Sequence, residues 1–575
     1  GFEPRPLRHL VQKKQPPPGG FFRPENLNSG KQAAPPGTFY WKKGLDFSRM
    51  GASITIMSIL SDRLSAEILQ ARQRVYTVGE PTPLQRLNLP GIQAPVYAKR
   101  EDLGPIRAYK WRGAFNCMAA LSQEARDKGI VAASAGNHAQ GVALAARVLN
   151  CHATIFMPRS TPEVKQTEVR RHGGRHVKIM LHGDCYDETA AAAHEYTETH
   201  GCTFVHPYDD LVTMAGQGTL ADEVVMSGEG PFDRAYVAIG GGGLAASVAC
   251  WLKKFWPRIK VIGVEGIDQA SMKTSIEQGR RVNLDYVDVF CDGTAVHIPG
   301  ELTYPLCREL VDEFVTVTNN EVCQAIRAMW ESSRVVPEPS GAMSLAGFLK
   351  QWNRGEVKPE EKSFVVISGA NMDFIHLTQI ARQAGIGNHE TRYLRISMDS
   401  KRGQVLKYLR HIPQDTTLVD VQYGKTEGNT QHPVFGIAAS DEDLDTIRTT
   451  LKKKGIEFED ISEDDDVRFR MIHYQPELCQ HPLFVHIEFP ERAGAFLDFM
   501  ERIADLASLC YFNYTYTGER VGRALVGMEF DTAEDRETIR KRMSAFSKNI
   551  IRSIREISPE AFQRIMGSRQ LTGNH

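Results

Sequence analysis

Cysteine is sparse in this chain and badly spaced for metal work. Ten cysteines are scattered over 575 residues, among them Cys117, Cys151, Cys250 and Cys510, and none forms a Cys-x-x-Cys pair. That disfavours structural zinc, and in so long a chain it implies no disulfide framework, so a reducing compartment is expected. Net charge is equally scarce: 69 Lys and Arg against 70 Asp and Glu leave a formal −1. Near neutrality gives no global reason to expect nucleic acid or a membrane surface as partner. No window reaches the roughly 18 consecutive apolar residues of a membrane span. Metalloprotease spacing is missing too: His194-Glu195 and His200 stand six apart where a zinc helix needs four, and they read as a polar helix face.

What is present is an ordinary globular composition, 42% hydrophobic and 24% charged, in a chain long enough for two to four domains. Residues 1–50 differ in kind. They carry Pro16-Pro17-Pro18, Pro35-Pro36, Gly19-Gly20 and bases such as Arg5, Arg8, Lys13, Lys14 and Arg23, and they cannot bury enough apolar surface to fold alone. The chain opens on glycine, so an upstream piece removed by processing or by trimming is expected. The segment is either a disordered basic tail or the remnant beside an organelle-targeting sequence. The compartment is accordingly cytoplasmic, or mitochondrial or plastid if a transit peptide precedes it.

From about residue 61 to 387, short apolar runs alternate with helical periodicity. Val96-Tyr97-Ala98-Lys99-Arg100, Ala153-Thr154-Ile155-Phe156-Met157, Val177-Lys178-Ile179-Met180 and Phe364-Val365-Val366-Ile367 read as strands, and 139–149 and 162–171 as helices. This predicts an α/β layer structure with mostly parallel sheets and ligands at the strands' carboxyl ends. After residue 388 the order strand, helix, strand, strand, helix, strand runs twice at a spacing of about ninety residues. The duplication divides the chain into a catalytic region 51–387, regulatory units 388–470 and 471–558, and a tail 559–575. Between the copies, Glu463-Asp464-Asp465-Asp466 reads as a solvated loop.

Four segments carry chemistry. Lys110 follows a strand and opens a helix within Ala108-Tyr109-Lys110-Trp111-Arg112-Gly113-Ala114. A lone lysine is usually a surface charge, but a Schiff-base lysine needs its pKa lowered by burial or by nearby cations, and Arg112 is the cation in reach. Gly240-Gly241-Gly242-Gly243-Leu244 follows the apolar strand Ala235-Tyr236-Val237-Ala238-Ile239 and precedes a helix, which suits a phosphate. Contiguous glycines with Glu265 some twenty residues on fit a dinucleotide fingerprint poorly. In Ser134-Ala135-Gly136-Asn137-His138, hydroxyl, amide and turn donors stand at a helix start, suited to a carboxylate or to a simple helix cap. Ser368, after a buried strand, offers a hydroxyl to a pyridine nitrogen without holding it protonated, which favours elimination. Amine, phosphate cradle and polar turn together point to pyridoxal 5'-phosphate (PLP).

These segments, with Pro81-Thr82-Pro83-Leu84, Lys99-Arg100-Glu101-Asp102-Leu103, Gly216-Gln217-Gly218-Thr219, Glu338-Pro339-Ser340-Gly341-Ala342 and Ser368-Gly369-Ala370-Asn371-Met372, resemble the biosynthetic threonine dehydratases. That family pairs a fold-type II PLP domain with ACT-like regulatory units, and the likeness runs from about residue 60 to 547. The resemblance implies Lys110 as Schiff-base lysine and base, Asn137 at the cofactor's 3'-oxygen, Gly240 to Leu244 at the phosphate and Ser368 at the pyridine nitrogen. It places the substrate carboxylate against Ser134, Asn137 and His138. The implied reaction is dehydration and deamination of L-threonine, with L-serine as alternative substrate, to 2-oxobutanoate and ammonia. It further implies a homotetramer inhibited by isoleucine, with valine as antagonist, and makes Tyr423 and Tyr514 candidates for effector contact. The alternative is that both tyrosines simply pack between strands.

The chain departs from the family in one place: Ala108 stands where serine is usual. One supporting hydrogen bond would be lost, about 0.5–1.5 kcal/mol, and not the base. Related serine racemases carry a second serine at the position of Ala135 and a metal carboxylate where Ser271 stands, so dehydration rather than racemisation is expected, without that metal. Two other readings share the scaffold: another fold-type II activity (serine dehydration, racemisation or β-replacement) and a non-catalytic amino-acid sensor.

Overall fold

The computed structural model describes residues 50–558, apart from 184–185, 375, 388–390, 400–403, 411–416, 463–474, 476–477, 491–493, 516–520 and 548–549. The Pro-rich extension before residue 50, the acidic stretch 463–466 and the tail 559–575 lie outside the described residues. Among the described residues no helix is long and apolar enough to cross a membrane.

In chain order the first half carries β1 (Leu84–Leu87), β2 (Val96–Arg100), β3 (Ile130–Ala133), β4 (Ala153–Met157), β5 (Val177–Leu181), β6 (Thr203–Phe204), β7 (Arg234–Ala238), β8 (Lys260–Gly266), β9 (Glu313–Val317) and β10 (Ser363–Ile367). They form two sheets, one per lobe. The larger has the order β1-β2-β10-β7-β8-β9 and is parallel except for β1, and the smaller is β5-β4-β3-β6, all parallel. Strands β2, β7 and β10 are buried along their whole length. That burial explains the apolar runs Val96 to Ala98, Ala235 to Ala238 and Phe364 to Ile367: a parallel sheet covered on both faces has no wet side to alternate with. The charges within these strands, Lys99, Arg100 and Arg234, are buried in ion pairs.

Successive residues still feed opposite cores. In β10, Phe364 and Val366 enter the core with helices Leu211–Met226 and Gly243–Phe255, while Val365 and Ile367 enter the one with helices Asn319–Ser333 and Pro339–Asn353. In the smaller lobe, Ile130 and Ala132 face helices Lys110–Ala120 and Asn137–Val148, and Val131 and Ala133 face helix Tyr186–His200. Phe348 and Phe364 are fully buried, each contributing about 1.5–3 kcal/mol.

The C-terminal half carries β11 (Thr391–Ile396), β12 (Met398–Asp399), β13 (Thr417–Gly424), β14 (Thr430–Gln431), β15 (Val434–Ala438), β16 (Phe458–Asp460), β17 (Leu483–Pro490), β18 (Ala507–Thr515), β19 (Val521–Phe530) and β20 (Ser553–Glu556). Eight of these make one antiparallel sheet, β16-β11-β15-β13-β18-β19-β17-β20. Each half of that sheet has the strand order 4-1-3-2 counted within its own copy, so the two copies are joined edge to edge through their second strands. Both second strands carry a register shift, after Leu418 in β13 and after Leu509 in β18. Counting from those shifts makes Tyr423 the counterpart of Tyr514, and Gln422 the counterpart of Asn513. Gln422 pairs directly with Asn513, so a local two-fold axis passes through that pair. One apolar core, from Leu394 to Ile551, runs under both copies.

Candidate active site

The lysine-bearing turn is held by backbone bonds. Ala108 pairs with Gly369, and the Tyr109 N–H donates to the Ser368 carbonyl at 3.0 Å, after which helix Lys110–Ala120 begins. Lys110 Nζ donates to the Pro207 carbonyl at 2.9 Å, between the Tyr109 and Tyr208 rings at 5.3 and 5.9 Å. Burial lowers the amine to about 8. Gln217 Nε2 donates to the same carbonyl at 3.1 Å. The loop that offers it is itself fixed: His206 Nδ1 accepts from the Asp209 N–H at 2.8 Å, and the Asp209 carboxylate accepts from the N–H groups of Glu301 and Leu302 at 2.7 and 2.8 Å.

Gly240 to Leu244 lie at the carboxyl end of β7, where helix Gly243–Phe255 starts. Gly242 has φ +95°, which favours glycine, and no side chain caps the helix. A Cβ at Gly241 would lie 2.3 Å from Tyr208 Cδ2, one at Gly243 2.7 Å from the Tyr208 carbonyl, and one at Gly240 3.0 Å from Thr294. Gly241, Gly242 and Gly243 therefore accept no side chain, leaving backbone amides and the positive end of a helix to face an anion.

Asn137 opens helix Asn137–Val148 at the carboxyl end of β3, again without a side-chain cap. Ser134 Oγ accepts from the Gly136 N–H at 3.2 Å, shaping the turn. His138 is buried, with Nε2 against the Val205 carbonyl at 2.9 Å and Nδ1 without a partner. Burial pushes His138 down to about 3 and His206 to about 4, so both rings are neutral at pH 7. Ser368 follows β10, its hydroxyl 3.4 Å from the Ser340 carbonyl. Lys110, Ser134 to His138, Gly240 to Leu244 and Ser368 therefore all stand at or just beyond strand carboxyl ends, as the sequence predicts.

One expectation is corrected. Arg112 does not act on Lys110, whose lowered pKa has burial as its cause. The Arg112 guanidinium is fully buried and forked between two carboxylates, Glu101 at 2.7 and 3.0 Å and Glu223 at 2.5 and 3.1 Å. Lys99, also fully buried, pairs with Glu223 and Glu101. Two cations and two anions cancel there, so no positive field is left to reach the amine.

Sequence reasoning left several pocket residues without a role. Glu338 and Asn371 fell inside quoted motifs, and Pro207 and Gln217 act through a shared carbonyl. Glu338 Oε1 accepts from Asn137 Nδ2 at 2.7 Å, and Oε2 from the Asn371 N–H at 2.9 Å. Burial pushes its carboxyl up to about 8 against the pull of those donors. Elsewhere, Glu265 accepts from the Met272 and Lys273 N–H groups at 2.9 Å each, and Ser271 Oγ is buried nearby without a partner. His194 lies against Phe204, with ring centroids 4.1 Å apart, on an exposed helix face. Tyr423 and Tyr514 both sit in the shared regulatory core.

A glycine run packed too closely for side chains at the start of a helix, with a half-buried amine whose pKa is lowered to about 8, fits PLP. Lys110, Asn137, Gly240 to Leu244 and Ser368 would hold it.

Residues 75–369 match the pyridoxal-phosphate dependent enzyme family, and residues 479–553 match the C-terminal regulatory domain of threonine dehydratase. The chain is 37% identical over 472 residues to the biosynthetic L-threonine dehydratase of Burkholderia multivorans, covering 81% of this chain and 92% of that protein. It is 34% identical to the mitochondrial threonine dehydratase of Schizosaccharomyces pombe, covering 80% of this chain and 77% of that one. Its structure resembles the processed form of threonine deaminase isoform 2 from Solanum lycopersicum, with TM-score 0.54 and 39% identity over 57% of this chain and 89% of that one. With the cradle, the lysine and the duplicated tail in place, the chain belongs to the biosynthetic threonine dehydratase family of PLP-dependent enzymes.

Proposed function

We propose that this enzyme converts L-threonine to 2-oxobutanoate and ammonia and is feedback-inhibited by isoleucine, with valine as antagonist. The observation that carries the reaction is Lys110: a half-buried amine at about 8, held by a neutral carbonyl, with the glycine run Gly240 to Gly243 in the same site. PLP supplies, when bound, an electron sink conjugated to the substrate's Cα. Lys110 accepts the Cα proton; an amine near neutral pH carries little cost in doing so. The uncapped amides at Asn137 and His138, with Ser134, bind the carboxylate, and the histidines at 138 and 206 are neutral. The β-hydroxyl departs as water, taking the proton that Lys110 received, and the released enamine tautomerises to an imine whose C=N bond water hydrolyses to ammonia and the 2-oxo acid.

The reading divides the chain into the catalytic region 51–387, regulatory units 388–470 and 471–558, and flanking segments 1–50 and 559–575. Tyr423 and Tyr514, equivalent across the local two-fold, are the proposed effector contacts. A homotetramer, and residence in the cytoplasm or, behind a transit peptide, in mitochondria or plastids, complete the reading.

The test is product analysis with L-threonine and L-serine, including chirality. Wild type should release 2-oxobutanoate, and Lys110→Ala should release none and lose the cofactor's visible absorbance. Isoleucine should inhibit wild type, and Tyr423→Ala and Tyr514→Ala should weaken that inhibition. Racemised serine without 2-oxo acid would overturn the reaction, and bound cofactor without turnover of either amino acid would favour a sensor.

A further inference from the structure

Three side chains meet across the cleft between the lobes. Asn137 opens a helix of the smaller lobe, while Glu338 precedes helix Pro339–Asn353 and Asn371 follows β10, both in the larger lobe. Asn137 Nδ2 donates to Glu338 Oε1 at 2.7 Å, and Asn137 Oδ1 accepts from Asn371 Nδ2 at 2.8 Å. Asn371 is itself held, its Nδ2 also donating to the Ile106 carbonyl at 2.6 Å and its backbone N–H to Glu338 Oε2 at 2.9 Å. The carboxylate can sit here because residue 369 is glycine: a Cβ there would lie 2.5 Å from Glu338 Oε1.

A primary amide looks nearly the same turned by 180°, so geometry alone does not decide which end of Asn137 faces a ligand. Its two neighbours do decide it. Turning the amide would set Nδ2 against the Asn371 amide nitrogen, donor on donor, and would take the Nδ2 hydrogen away from Glu338 Oε1. In the orientation found, one Nδ2 hydrogen is spent on Glu338 and the other remains free. We propose that Glu338 and Asn371 are positioning residues that lock the Asn137 amide in this orientation, so that its free hydrogen is presented to an anionic ring oxygen of the cofactor. The inference rests on the PLP reading above and adds a second consequence. Because one partner belongs to one lobe and two to the other, Asn137 is correctly turned only while the lobes are together.

The experiment uses full-length protein and the variants Glu338→Gln and Asn371→Ala. Glutamine keeps the size of the side chain but offers one acceptor and one donor. With the acceptor taken by the Asn371 N–H, its amide nitrogen faces Asn137 Nδ2. Expected for both variants are a melting temperature within about 2 °C of wild type, PLP binding weaker by about tenfold, and an altered visible absorption band. The kcat for L-threonine should fall by about tenfold with KM moving less than about twofold, because the lost contact is to the cofactor and not to the substrate. Wild-type PLP affinity, absorbance and kcat in Glu338→Gln would overturn the proposal. Crystal structures of the cofactor-free proteins form a separate arm. An Asn137 side chain that keeps its contacts to both 338 and 371 in Glu338→Gln also overturns the lock, whereas wild type that takes up no PLP defeats the cofactor reading instead.

Discussion

Lys110 and Pro207 meet through one hydrogen bond, Nζ to carbonyl oxygen at 2.9 Å. The partner is neutral, so nothing compensates the desolvation of this half-buried ammonium, and the amine falls to about 8 from 10.5. A carboxylate in the place of that carbonyl would hold the lysine protonated and useless as nucleophile or base.

The sign of the resulting pH dependence follows. Folding disfavours charged Lys110, so the cofactor-free protein carries a penalty that is full below pH 8 and disappears as pH rises to 10.5. Lys110→Met should therefore be more stable than wild-type apoprotein at pH 7, by about 3 kcal/mol, with the gap closing over that window. The rate of PLP uptake by wild type should rise with a midpoint near pH 8 in stopped-flow absorbance. A midpoint above pH 10 would contradict the assignment.

Gly241→Ala places a methyl 2.3 Å from the Tyr208 ring. That ring belongs to the loop holding the Pro207 carbonyl, so relief of the clash displaces both the anion cradle and the acceptor of Lys110. PLP affinity should drop by more than about tenfold, equivalent to one strong hydrogen bond, while circular dichroism stays native. Equilibrium dialysis with PLP checks it.

Arg112→Met should strip Glu101 and Glu223 of their bidentate partner and leave Lys99 alone with two buried carboxylates. The expected loss is about 3–5 kcal/mol, visible in urea unfolding. Arg112→Lys should rescue little, since an ammonium cannot fork to both acids. A near-neutral Arg112→Met would mean that the quartet contributes nothing to holding the helix of Lys110.

Cutting the chain after residue 387 and after residue 470 should give opposite results. The first removes the eight-stranded sheet whole and should leave an active, isoleucine-insensitive enzyme. The second opens the shared core and bares β13 as an edge strand with Val421 and Tyr423 uncovered. Exposed apolar edges pair with other chains, so that fragment should aggregate on size exclusion.

Much of the catalytic fold was legible in order. Unbroken apolar runs such as Phe364-Val365-Val366-Ile367 mark strands covered on both faces, and the glycine run marks a place where backbone must do the binding. The duplication was legible because each copy repeats its own local periodicities. Glu338 was not legible as a pocket residue: an acid before Pro339 reads as a helix start, and its partner Asn137 lies 201 residues away. Arg112 misled for a related reason. Its nearness to Lys110 along the chain says nothing about direction, and on the first turn of a helix the two side chains point to different neighbours.

The sequence by itself determined the elements and the duplicated tail, because these depend on local pattern. Only the tertiary structure decided that a carbonyl faces Lys110, that Arg112 is neutralised, that Asn137 is gripped from the opposite lobe and that two regulatory units share one core. Those are facts of long-range contact. Burial sets protonation and orientation through groups that lie 97 to 234 residues apart, and no local pattern encodes such distances.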